Sequence, residues 1–83
     1  MHIGRIDRNT AAARVYRVLR NRPNRWIGGW DLSQEARTDA VGTRVSEVRR
    51  QLPDNQTIEC ELRTESGERR FYYRLVVSDT AAA

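Results

Sequence analysis

Lysine is absent from this chain of 83 residues, and all 15 of its basic residues are arginine. Cysteine and histidine occur once each, as Cys60 and His2. A single cysteine closes no internal disulfide, so the fold does not lean on an oxidising compartment. One histidine, second in the chain and with no cysteine beside it, leaves no ligand set for zinc. It also leaves no Ser-His-Asp or Cys-His arrangement for nucleophilic catalysis. The longest apolar runs reach three or four residues, far short of a membrane span or a signal-peptide core. Apolar residues make up 39% of the chain. That is enough for short helices around a small sheet and too little to wall a deep catalytic pocket. These shortages lead us to expect one small cytoplasmic domain, in a bacterium or a phage-infected host cell. We expect no enzyme, no cofactor, no bound metal, no membrane and no small-molecule substrate.

What is present is positive charge. The arginines face 11 acids, leaving a net charge of +4 and a pI near 10.2. The guanidinium fork suits phosphates and the acceptor edge of guanine, where lysine acts only as a point charge. A codon bias toward arginine explains the missing lysines equally well, so the places where the arginines cluster are the better guide.

The hydrophobic period changes twice along the chain. Residues 1–8 show no period and read as a flexible N-terminal arm carrying Arg5 and Arg8. Thr10 is placed to cap a helix over Ala11–Arg20, with Ala11, Val15, Val18 and Leu19 on one face. Pro23 ends it. Trp26 and Ile27 form a very short extended segment, Gly28 and Gly29 a turn, and Trp30–Ala36 a two-turn helix. A third helix spans 39–52, capped by Thr38 or Asp39 and closed ahead of Pro53. Its inward stripe is Val41, Val45, Val48 and Leu52. From Thr57 the period becomes two: Ile58, Cys60 and Leu62 lie on one side of a strand, Glu59, Glu61 and Arg63 on the other. Phe71, Tyr73 and Leu75 repeat the pattern after a loop containing Ser66 and Gly67, which is the signature of a β-hairpin over 57–76. Residues 78–83 read as a disordered tail, leaving one domain at 9–77.

Helix, short strand, helix, turn, helix, hairpin is the order of a winged helix-turn-helix: an α+β fold of three helices and a small antiparallel sheet. The expected register places Ile58 opposite Leu75, Cys60 opposite Tyr73 and Leu62 opposite Phe71. On the outer face Glu59 then meets Arg74, and Arg63 meets Arg70. Cys60 is expected inside as a small hydrophobe. Among Trp26, Trp30, Phe71, Tyr72 and Tyr73, only Tyr72 is expected to face outward, which argues against a base-stacking surface.

The stretch Arg44-Val-Ser-Glu-Val-Arg-Arg, followed by Ile58-Glu-Cys and Tyr73-Arg-Leu, resembles small helix-turn-helix proteins of bacteriophages and prophages. Their pattern runs R-[IV]-x-E-L-R, then I-E, then Y-x-L, and the resemblance covers roughly residues 12–76. One departure is the run Leu52-Pro-Asp-Asn-Gln, which stands where such sequences place a glycine and lengthens the turn before the hairpin. The resemblance implies a winged helix that binds double-stranded DNA, acting as a small regulator or a recombination accessory factor.

In such a fold the third helix enters the major groove and the wing lies on phosphates. Opposite the valine stripe stand Asp39, Thr43, Ser46, Glu47 and Arg50, with Arg44 and Arg49 on the flanks. Gly42 would let the backbone approach the groove. Thr43, Arg44, Ser46, Glu47, Arg49 and Arg50 are therefore the candidate contacts on the helix, and Arg63, Arg69 and Arg70 those on the wing. Arg63 and Arg70 are like charges directly opposite one another, which is unfavourable unless a phosphate lies between them or Glu65 and Glu68 neutralise them. Arg44, Glu47 and Arg50 are equally spaced for surface ion pairs. The alternative is a winged helix that captures a host or phage protein, a use favoured by Glu47, Glu65 and Glu68. A homodimer is open, and double-stranded RNA is disfavoured by its deep, narrow major groove.

Overall fold

The computed structural model describes residues 10–78. The arm, its Arg5 and Arg8, His2, and the tail beyond Ser78 lie outside the described residues. Six elements follow in order: α1 (Ala11–Asn21), β1 (Ile27–Gly28), α2 (Gly29–Ala36), α3 (Val41–Arg49), β2 (Gln56–Glu65) and β3 (Glu68–Val77). Three helices thus stand with a three-stranded antiparallel sheet in the order β1-β3-β2.

Helix α1 begins where Thr10 Oγ1 accepts a hydrogen bond from the Ala13 amide at 3.1 Å. Its buried face is Ala12, Val15, Tyr16 and Leu19 rather than the expected Ala11, Val15, Val18 and Leu19. The stripe is rotated because Tyr16 brings a large ring inward and sends its hydroxyl to Gln56 Oε1 at 2.8 Å. Val18 keeps only a flanking place against the core.

Gly28 and Gly29 form no separate turn: Gly28 ends β1 and is the N-cap of α2, which Gly29 opens. Helix α2 stops at Arg37, a non-glycine residue at φ 55° and ψ 52°. The left-handed conformation is costly for a residue with a Cβ. Arg14 offsets that cost from α1, donating through Nε to the Ala36 carbonyl at 2.8 Å and through an Nη to the Arg37 carbonyl at 3.4 Å. Both are carbonyls that a helix end leaves without partners.

Helix α3 is shorter than its sequence signals. Thr38 Oγ1 accepts from the Ala40 amide at 3.2 Å, a local turn that competes with helix, so Asp39 precedes the helix instead of joining its outer face. At the other end Leu52 precedes proline and leaves the helix, though it still packs against the core. The valines Val41, Val45 and Val48 are buried as expected.

The hairpin has the expected register throughout, from Ile58 opposite Leu75 to Arg63 opposite Arg70, and the longer turn before it moves the strand start only to Gln56. Its turn is Ser66-Gly67, both at positive φ (52° and 81°), the backbone of a type I′ turn. At its base Asn24, itself at φ 62°, gives its amide to the Leu75 carbonyl at 2.7 Å and accepts from the Val77 amide at 3.2 Å.

One core joins all six elements, with Leu19, Leu32, Leu75, Val15, Val45 and Val48 fully enclosed. The aromatic residues depart from expectation. Only Tyr16 and Tyr73 belong to the core, while Trp30 is 71% exposed and Phe71 52%. Cys60 is also exposed, and Leu62 is 48% exposed. The cause is length. A strand of 10 residues reaches about 33 Å, whereas helices of 8–11 residues cover about 12–16 Å. Ile58, Tyr73 and Leu75 lie under the helices with Val77 packed beside them, Leu62 and Phe71 project beyond, and Cys60, level with Tyr73, lies on the edge strand β2. On α2 the inward pair is Leu32 and Ala36, and Trp30 stands about 200° around the helix from Leu32.

Leu75→Ala is expected to cost about 2–5 kcal/mol of stability. Cys60→Ala, on the same sheet face, is expected to change it by less than about 0.5 kcal/mol. Urea denaturation followed by circular dichroism measures both, and a large cost at Cys60 would contradict its exposure.

Candidate nucleic-acid interface

The nine sequence-predicted contacts separate into three groups. The first is open. Thr43, Ser46 and Arg50 are exposed along α3, and Arg69 is exposed on β3. Arg50 and Arg69 have no side-chain partner among the described residues. The Ser46 hydroxyl donates back to the Gly42 carbonyl at 3.1 Å, which leaves its oxygen free to accept.

The second group is engaged in the fold. Arg49 donates through Nε and Nη2 to the Ile58 carbonyl at 3.2 and 2.9 Å. It ties the end of α3 to β2 while the residue itself remains exposed. Arg44 and Glu47 form an i,i+3 pair at 3.3 Å, the helix-surface alternative the spacing allowed.

The third group lies on the far face of the hairpin. Residues alternate across a strand, so Arg63 and Arg70 share the face opposite to Arg69. Their mutual repulsion is answered within the protein: Arg63 bonds Glu61, and Arg70 bonds Glu68 at 2.9 Å with Glu65 at 4.0 Å. Those carboxylates hold both guanidinium protons more firmly than usual, with the hydrogen bond the leading cause in each case. Arg63 also lies 4.2 Å from the Tyr72 ring centre, and Trp26 is flanked by Arg63 at 5.4 Å and Arg74 at 4.5 Å. Arg74 pairs with Glu59, as its register implies. Trp26 is therefore a half-buried platform for arginines and no part of the core.

A groove of about 720 Å³ runs between the N-terminal turns of α2 and α3 and strand β3. Trp30, Asp39, Gly42, Arg69 and Phe71 line it, and Tyr73 forms part of its floor. A Cβ on Gly42 would stand 3.9 Å from the Tyr73 hydroxyl, and one on Gly29 would stand 3.3 Å from the Phe71 carbonyl. Gly29 thus lets the start of α2 close onto the strand, while the start of α3 would accept a small side chain at Gly42. Sequence reasoning missed this groove because it placed Trp30 and Phe71 inside. The angular position of Trp30 relative to Leu32, and the excess length of the hairpin, were the signals that could have found it.

Among the described residues no set of three or more His, Cys, Asp or Glu side chains could hold a metal ion, and no helix is long and apolar enough to cross a membrane. Comparison with family models, curated proteins and solved structures gives no match to this chain.

Two predictions follow from the partners of these side chains. Arg49→Met keeps the alkyl stem and removes both bonds to Ile58, with an expected loss of about 1–2 kcal/mol. Arg50→Met should stay within about 0.5 kcal/mol of the parent in the same denaturation experiment. The second concerns Tyr72, whose hydroxyl donates to Glu65 Oε1 at 2.7 Å. That bond, more than desolvation, raises its pKa above the ordinary 10.0. The folded state therefore holds this proton more tightly than the unfolded chain. Its contribution is complete below the ordinary tyrosine value and fades as pH rises through the folded one. Glu65→Gln should lower the Tyr72 midpoint, read at 295 nm as the difference from Tyr72→Phe; an unmoved midpoint would remove the bond.

Proposed function

We propose that this chain is a winged helix that binds double-stranded DNA. In this reading α3 enters the major groove and presents Thr43, Ser46 and Arg50 to base edges and phosphates, while β3 sets Arg69 on the backbone alongside. The observation that carries it is the shared groove: Gly42 at the N-terminal turn of α3 and the unpaired Arg69 of the hairpin line the same opening. Helix-turn-helix proteins use the N-terminal half of this helix for base contact, and here that half stands beside a free guanidinium. The order of elements and the sheet order β1-β3-β2 support the same reading. Arg49 is assigned to the fold, and Arg44, Glu47, Arg63 and Arg70 to local ion pairs that only a phosphate in competition would open. The resemblance to phage and prophage proteins makes a small regulator or a recombination accessory factor the fitting role, in the cytoplasm.

A second reading is a winged helix that captures a protein. Trp30 and Phe71, both more than half exposed, lie in that groove with Asp39 and Glu68, and exposed aromatic residues mark protein contacts.

The test is an amide NMR titration with a mixed-sequence duplex at low salt. Shifts on residues 41–50 and at Arg69 are expected. No shift at near-millimolar duplex would be weaker than ordinary non-specific binding and would leave the protein-capture reading in place. Arg50→Ala should weaken binding by about 1–3 kcal/mol where it reads a base. Arg69→Ala should lower the salt slope by roughly one unit, and an unchanged slope would remove the hairpin from the interface.

A further inference from the structure

The two-residue turn decides which way every backbone group in the hairpin points. Glu65 and Glu68 flank Ser66-Gly67 and close the ladder as a hydrogen-bonded pair. Bonding alternates from there, so Arg63, Glu61 and Glu59 exchange backbone bonds with β3. Ile58, Cys60, Leu62 and Thr64 turn their N–H and C=O groups the other way. Because β2 ends the sheet in the order β1-β3-β2, those groups face an open edge. The Ile58 carbonyl shows the direction, since it is the one that Arg49 reaches from α3. Past that clamp, the outward groups of Cys60, Leu62 and Thr64 have no hydrogen-bond partner among the described residues. On the same stretch Leu62 and Phe71 stand opposite one another, 48% and 52% exposed. An open edge beside an uncovered apolar pair is a pairing site unless something blocks it.

We propose that β2 pairs antiparallel with β2 of a second copy about a two-fold axis at Leu62, joining two three-stranded sheets into one. The side chains select both the occupant and the register. With Leu62 facing its own copy, Cys60 faces Thr64 on either side, so the residues that exchange backbone bonds are the three left open. Leu62 covers Leu62, with both Phe71 rings adjacent. On the other face Glu61 of each copy meets Arg63 of the other, so the ion pair each copy already holds is joined across the axis into one alternating cluster of four charges. Glu59 then faces Glu65, but each already has a partner, Arg74 and Tyr72 respectively. Centring on Glu61 or on Arg63 would set a charge against its own copy on the axis itself, where the Leu62 register sets an apolar pair. Centring on Glu61 or Cys60 would also need the Ile58 carbonyl that Arg49 occupies. The interface is isologous and closes at two copies, as a two-fold pairing must. It does not rest on DNA binding, and its test contains no DNA.

Sedimentation velocity of the full chain over a concentration series is the experiment. The expected result is a shift from 9.6 kDa toward twice that mass as concentration rises. Leu62→Pro removes an N–H that points away from β3, so the hairpin ladder keeps all its bonds. This variant should stay monomeric with an unchanged circular dichroism spectrum. Should it fail to fold, Glu61→Cys mixed with Arg63→Cys, both in a Cys60→Ser background, decides. These two positions face one another across the axis as a non-hydrogen-bonded pair with Cα atoms about 4.5 Å apart, within disulfide range, so mild oxidation of the mixture should give a covalent dimer. Either variant alone should not. A parent chain that is monomeric to millimolar concentration overturns the proposal and leaves the edge to an extended segment of another protein. A parent dimer that the mixed Glu61→Cys and Arg63→Cys chains fail to cross-link also overturns it, because the copies would then meet elsewhere.

Discussion

Tyr73 is the point on which the arrangement of this protein turns. Its backbone pairs with Ile27 of β1, and Cys60 is its register partner on β2. Its ring lies beside the starts of two helices, in ordinary contact range of where a Cβ on Gly29 or Gly42 would stand. Burial, more than any neighbouring charge, raises the pKa of its phenol. A smaller side chain would leave the helix starts without a floor, and a Cβ at Gly29 would press on the Phe71 carbonyl. The groove has this one buried ring in its floor.

The arginine-only composition acquires a structural meaning beside its electrostatic one. Arg14 and Arg49 each aim a two-pronged donor at backbone carbonyls, one sealing the end of α2 and the other tying α3 to β2. A planar fork does this better than an ammonium group on a flexible stem. Arg22 makes a paired contact to Glu35 that links the end of α1 to α2. Much of the positive charge is thus spent inside the molecule. The net charge of +4 is accordingly less informative than the few guanidinium groups left unpaired.

Local chemistry made a good part of this structure readable in the sequence. Thr10 marked the start of α1, the three valines marked the inward face of α3, and alternation from Ile58 to Leu75 gave the register residue for residue. The misreadings came from competition between elements. Tyr16 rotated α1 by reaching for Gln56, and Thr38 held Asp39 out of α3. Hydrophobic alternation said which face of the hairpin was apolar but not how far the helices would cover it, so Cys60, Leu62 and Phe71 were placed inside. Whether an arginine is free or clamped is set by carbonyls far along the chain, as with Arg49 and Ile58. No spacing rule carries that information.

The hairpin is supported at its base by Asn24, Ile58, Tyr73 and Leu75, while its outer half adds nothing to the core. Such a segment can open and close without the rest of the domain unfolding. For the same reason it can change under selection with little penalty to folding. Outside the Ser66-Gly67 turn, residues 60–71 are where this small protein can acquire a new recognition surface, because side chains there add little to the core and substitutions are screened chiefly by what they bind.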